Sequence, residues 1–151
     1  MRRPLFLLAA LLSLTACHQK EAQKPQIRDA WVRMAAVPGR PAAGYFTVKG
    51  GAADDRLVRI DSAVVKKIEM HASMGDGGMT TMKPMADLPV PAGTTIEFAP
   101  GGKHAMLFDI DPAITPGTEI PMLFTFASGR AVQAGAKSVP AGGDDMAGMH
   151  H

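Results

Sequence analysis

From Ile27 onward, short runs rich in Val, Ile, Phe and Thr alternate with Gly, Pro and Asp clusters about every ten residues. The runs predict strands over Ile27–Met34, Ala43–Val48, Arg56–Ile60, Ala63–Met70, Met79–Met85, Thr94–Phe98, Lys103–Ile110, Glu119–Phe126 and Arg130–Gln133. Pro38-Gly39, Gly50-Gly51, Gly77-Gly78 and Ser128-Gly129 mark the turns between them. No segment predicts a long amphipathic helix. A helical alternative over Val64–Met74 would be stopped at once by Gly75, Gly77 and Gly78. Many short strands with regular turn signals make the expected fold an all-β sandwich or barrel. From Gly135 small and polar residues take over, and the strand pattern is expected to end there in a flexible tail.

The first residues follow a different pattern. Arg2 and Arg3 precede an apolar run from Leu5 to Leu14, the layout of a secretory signal. Leu14-Thr15-Ala16-Cys17 resembles a bacterial lipobox, whose cysteine is acylated and becomes the first residue of the mature protein. Cys17 is the only cysteine of the chain, so its acylation would leave neither a disulfide nor a thiolate metal ligand. The polar stretch that follows, through Gln26, reads as a tether. The expected organisation is a signal peptide over 1–16, a lipidated tether over 17–26, a β-sandwich over 27–139 and a tail over 140–151.

Charge narrows the function. The formal net charge is +2 over 151 residues, but Arg2 and Arg3 belong to the leader and leave 14 basic against 14 acidic residues. A nucleic-acid partner has no electrostatic footprint. No apolar run approaches the roughly 20 residues of a membrane-spanning helix, so contact with the membrane is expected through the lipid anchor.

Methionine stands out, with 11 residues, five of them between Met70 and Met85. Both histidines away from the chain ends lie close by. His71, Met82, His104 and Met106 follow the spacing His, ten residues, Met, twenty-one residues, His-x-Met. Imidazole nitrogen and thioether sulfur are neutral donors, and the sulfur is soft, a set that suits Cu(I) rather than Mg, Ca or Mn. His104 and Met106 stand two apart in a strand and therefore share a face. His71 is expected at the end of its strand and Met82 beyond the Gly-rich loop, so that two strand ends and a loop converge at one edge. The competing reading is that these methionines fill core, as Met usually does; Met34, Met122, Trp31 and Tyr45 are assigned to packing. Met70 and Met79, with Met74 and Met85 as further spare thioethers, are candidate secondary donors, as are Met146, Met149, His150 and His151 in the tail, where nitrogen and carboxylate donors would suit Cu(II). A blue-copper centre needs a thiolate that is absent, catalytic zinc prefers three His, Glu, Asp or Cys ligands, and no nucleophilic triad or carboxylate pair has a local signature. The expectation is a carrier rather than an enzyme.

These residues resemble the periplasmic copper chaperones of the PCu(A)C type. The resemblance rests on the His71, Met82, His104-x-Met106 spacing and extends to Asp29-Ala30-Trp31-Val32-Arg33, Ala43-Gly44-Tyr45-Phe46-Thr47, Asp54-Asp55-Arg56-Leu57-Val58, Val90-Pro91-Ala92-Gly93 and Pro100 to Leu107. It implies a cupredoxin-like Greek-key sandwich and one Cu(I) held by His71, Met82, His104 and Met106. It also implies delivery to the copper-accepting subunit of cytochrome c oxidase, with a Sco-like assembly factor as a partner. Two other readings stay open: an envelope lipoprotein that sequesters copper, and a structural sandwich whose Met-rich edge binds another protein.

Overall fold

The computed structural model describes residues 23–76 and 79–142. Ten strands form: β1 (Gln26–Arg33), β2 (Ala42–Lys49), β3 (Asp55–Asp61), β4 (Val65–Asp76), β5 (Met79–Met85), β6 (Leu88–Val90), β7 (Thr95–Phe98), β8 (Lys103–Ile110), β9 (Glu119–Phe126) and β10 (Ala131–Val139). They hydrogen-bond in the order β5-β4-β8-β2-β1-β10-β9-β3-β6, with β7 pairing on β2. Among the described residues only the pairing of β1 with β10 is parallel. No helix occurs among the described residues, and the expected all-β sandwich is the fold observed.

The sequence period explains how the sheet closes on itself. In β9 the alternate residues Ile120, Met122, Phe124 and Phe126 are buried, while Glu119 and Pro121 stay exposed. In β2 the inward residues include Phe46 and Val48, and in β8 they are Ala105 and Leu107. Phe46 and Phe124 lie on strands separated by β1 and β10 in the hydrogen-bonding order, yet their rings meet edge-on at 4.8 Å. Phe98 stacks on Phe46 at 4.3 Å. The two halves of the sheet therefore face each other across one apolar layer, each buried large side chain contributing about 1.5–3 kcal/mol.

One irregularity sets the face of β1. Its register against β2 shifts between Arg28 and Trp31, where Asp29 takes a φ of 51°. A bulge of this kind adds one residue, and Asp tolerates the left-handed region better than most side chains. After it, Val32 points into the core, and Trp31 stands opposite Tyr45 with ring centroids 4.5 Å apart and the Arg33 guanidinium 5.2 Å from the indole. Met122 lies in the core as expected and Met34 packs against it from its edge, while Trp31 and Tyr45 pack on each other outside that cluster.

Three boundaries differ from expectation. β4 does not stop at Met70 but runs on to Asp76 and pairs with β5 in a long hairpin. β10 does not end at Gln133 but continues to Val139, because Ala136 is buried and the Ser138 hydroxyl shares its one proton between the carbonyls of Thr115 and Thr118, at 2.8 and 2.7 Å. β6, with Pro89 at its centre and Pro91 just after it, is an additional strand that pairs with β3.

Candidate metal centre

The site residues fall on the outer face of the β8-β4-β5 ribbon, which alternation builds directly. Ala105 and Leu107 of β8 enter the core, so His104 and Met106 face away from it. On β4, Met70 enters the core and His71 faces away. The register sets His71 opposite His104, Glu69 opposite Met106 and Ser73 opposite Met82. His71 is thus the hub: His104 is its direct cross-strand neighbour, while Met106 and Met82 are its two diagonal neighbours, at about 7–8 Å between backbones and within reach of long side chains. The imidazole rings of His71 and His104 lie 5.9 Å apart, inclined by only 23°.

Of the two strand ends expected at the site, only the start of β8 at His104 is observed. His71 lies inside a continuous strand, and a ladder rather than a loop brings it to His104. Met82 lies within β5 and is 57% exposed. At about 3.4 Å per residue and 4.8 Å between strands, the backbones of Met82 and Met106 stand about 17 Å apart across the ribbon. His71, His104 and Met106 form a compact set, and Met82 stands one row further out.

Both imidazoles are oriented by a neighbour. Gly101, at a φ of 80°, turns the chain into β8 and presents the Gly102 carbonyl. That oxygen accepts from the Ser73 amide at 3.1 Å and from His104 Nδ1 at 3.1 Å. A carbonyl only accepts, so Nδ1 carries the proton and Nε2 keeps its lone pair. His71 Nε2 lies 3.3 Å from Glu69 Oε2, while Lys67 Nζ lies 2.8 Å from the other oxygen. The hydrogen bond from Lys67, and after it that from His71, holds the Glu69 carboxyl below its usual range. Lys67 Nζ itself stands 4.8 Å over the Phe108 ring.

His71 is 13% exposed and His104 8%. His71 Nδ1 is buried and has no hydrogen-bond partner, an arrangement native interiors seldom leave without a purpose. No three of His, Cys, Asp or Glu converge among the described residues, and with the Glu69 carboxylate already engaged by Lys67 and His71 the neutral donors on this face are imidazole and thioether. The chemistry of that set fits a soft monovalent cation.

The remaining candidates separate cleanly. Met70 is 5% exposed and packs in the core on the face opposite His71, which removes it from this donor set. Met79 pairs with Asp76 near the hairpin end. Met146, Met149, His150, His151 and Cys17 lie outside the described residues. Composition and spacing alone do not single out Glu69, although it stands two before His71; the strand that continues past Met70 puts both on one face.

Residues 26–138 match the family described as "Putative lipoprotein LpqE-like". A curated relative from Leifsonia xyli subsp. xyli (strain CTCB07), "Putative lipoprotein Lxx21020", is 30% identical over 132 residues, covering 80% of this chain and 79% of its own. Among solved structures, the copper-bound PCuAC domain from PmoF2 superposes with a TM-score of 0.65 at 22% identity, over 79% of this chain and 95% of that one. The solution structure of CuI-DR1885 from Deinococcus radiodurans gives 0.60 at 19% identity, over 83% of each chain. At these identities the structural likeness establishes a shared fold.

Proposed function

Given that the chain belongs to the LpqE-like lipoprotein family and shares the fold of PCuAC domains, we propose that it is a copper chaperone of the cell envelope, anchored through an acylated Cys17. The observation that carries this reading is the cross-strand pair His71 and His104, with a buried, unpartnered ring nitrogen on His71 and Met106 on the same face. Cu(I) is the cargo, held by His71, His104 and Met106, with Met82 as the fourth ligand. Neutral donors bind a monovalent soft ion without the thiolate that would slow its release. The same fold in the copper-bound PCuAC domain from PmoF2 and in CuI-DR1885 supports the same cargo.

In this reading the protein is not an enzyme. The acceptor is the copper-binding subunit of cytochrome c oxidase, with a Sco-like factor acting beside it, and the tail carrying Met146, Met149, His150 and His151 collects Cu(II). Titrating Cu(I) against a chromophoric chelator tests the site: wild type competes at one copper per folded domain, and the double variant His104→Ala, Met106→Ala does not. Equal competition by the two proteins removes the assignment. A second reading, copper sequestration, draws on Met74 and Met82, both more than half exposed on the hairpin. A sequestering protein takes up several coppers and yields none to an apo oxidase copper domain, whereas a chaperone yields its single one.

A further inference from the structure

We propose that Glu69 is a positioning residue that fixes which nitrogen of His71 faces the metal, so that the two histidines bind through unlike atoms: His71 through Nδ1 and His104 through Nε2. The inference rests on the copper reading and adds the orientation of its ligands.

A carboxylate only accepts hydrogen bonds, so the 3.3 Å approach of His71 Nε2 to Glu69 Oε2 places the ring proton on Nε2. The lone pair of the neutral ring then sits on Nδ1, the atom that is buried and unpartnered. His104 has the opposite tautomer, because the Gly102 carbonyl accepts a hydrogen bond from its Nδ1–H. Glu69 is not free to drift. Lys67 holds its second oxygen at 2.8 Å, and Lys67 in turn lies over Phe108, its cross-strand partner. Phe108, Lys67, Glu69 and His71 thus form one chain of contacts running to the site. Metal-bound histidines commonly donate their second ring N–H to a carboxylate or carbonyl, which sets tautomer and ring angle, and losing that partner typically costs about 10–100-fold in metal affinity. Here one ring uses a carboxylate and the other a carbonyl. The carboxylate also brings a negative charge to the edge of a site whose own donors are neutral.

The test begins without metal. Long-range 15N–1H correlation spectra of the apo domain at about pH 8 report the tautomer of each histidine. Wild type is expected to show a protonated Nε2 on His71 and a protonated Nδ1 on His104. Glu69→Gln, whose amide oxygen still accepts, keeps the His71 tautomer; Glu69→Ala loses it and leaves His104 unchanged. Glu69 is 40% exposed, so both variants are expected to fold, and their thermal unfolding is measured alongside. With Cu(I), which is diamagnetic, the largest 15N shifts are expected at His71 Nδ1 and His104 Nε2. Affinity is expected to fall about 10–100-fold in Glu69→Ala and only a few-fold in Glu69→Gln. A protonated Nδ1 on His71 in the apo wild type overturns the proposal. So does an unchanged affinity in Glu69→Ala while wild type binds Cu(I), and that result leaves the copper reading standing. Failure of wild type to take up Cu(I) removes the copper reading and this role of Glu69 together, whichever tautomer His71 shows.

Discussion

The two halves of strand β4 follow the same alternation but meet different surroundings. In the half that ends at His71, the inward residues are covered: Met70 is 5% exposed and belongs to the core, and across the ladder β8 contributes Ala105 and Leu107. Beyond His71 the strand pairs with β5 past the edge of that core. Met74, on the same face as Met70, is 54% exposed, and Met82 on the other face is 57% exposed. A backed strand holds its outer side chains in register, since a slip would move a whole set of residues out of the core. A hairpin without backing keeps only its ladder hydrogen bonds and opens more easily. The molecule thus offers His71, His104 and Met106 on a fixed platform and Met82 on a projecting arm. For a protein that must first hold and then surrender an ion, that division assigns holding to the platform and exchange to the arm.

Substitutions along this divide test it, beginning with the largest effect. Met70→Ala removes a buried side chain and is expected to lower stability by about 2–5 kcal/mol in chemical denaturation. His104→Ala removes a donor from the platform and should weaken Cu(I) binding by more than the roughly 100-fold upper range of losing an outer partner, as read by chelator competition. Met82→Ala removes the donor on the arm. Its expected loss is smaller, about tenfold or 1.4 kcal/mol, accompanied by faster transfer to an acceptor in stopped-flow; a loss equal to that of His104→Ala would erase the distinction between platform and arm.

A fourth substitution lies away from both. Asp55 accepts from the Ser128 amide and hydroxyl, tying β3 to the β9–β10 turn. Burial raises its pKa, but the hydrogen bonds from Ser128 and Arg56 outweigh burial and hold it below the ordinary carboxylate value. Its stabilisation is therefore complete above that ordinary value and fades as pH falls through the lowered one, a window below about pH 4. Asp55→Ala is expected to flatten the acid limb of the stability profile and leave Cu(I) affinity unchanged. Met74→Ala, the exposed counterpart of Met70→Ala, should change stability by no more than about 0.5 kcal/mol.

The sequence was most legible where burial imposes a period. Ile120, Met122, Phe124 and Phe126 announce β9, and the His104-Ala105-Met106-Leu107 alternation announces which pair faces out. It was least legible where pairing alone makes the strand. Ser73 to Asp76 lack a strand preference of their own, and the ladder to β5 is what holds them extended. Residues 135–139 carry no strand signal for the same reason, although β9 pairs with them up to Lys137 and β1 from Lys137 to Val139. The four donors could be picked out by type and spacing. That His71 and His104 stand directly opposite each other depends on register between strands more than thirty residues apart, and Glu69 becomes visible only once that register is known.

The central claim is tested most directly by X-ray absorption at the copper edge on the Cu(I)-loaded domain, measured for wild type and for the double variant His71→Ala, His104→Ala. Wild type is predicted to give a mixed shell containing imidazole nitrogen and thioether sulfur, with one copper per chain, and the double variant to lose the nitrogen contribution along with its bound copper. A shell of oxygen alone, or a sulfur-only shell that persists unchanged in the double variant, would place copper elsewhere and contradict the account.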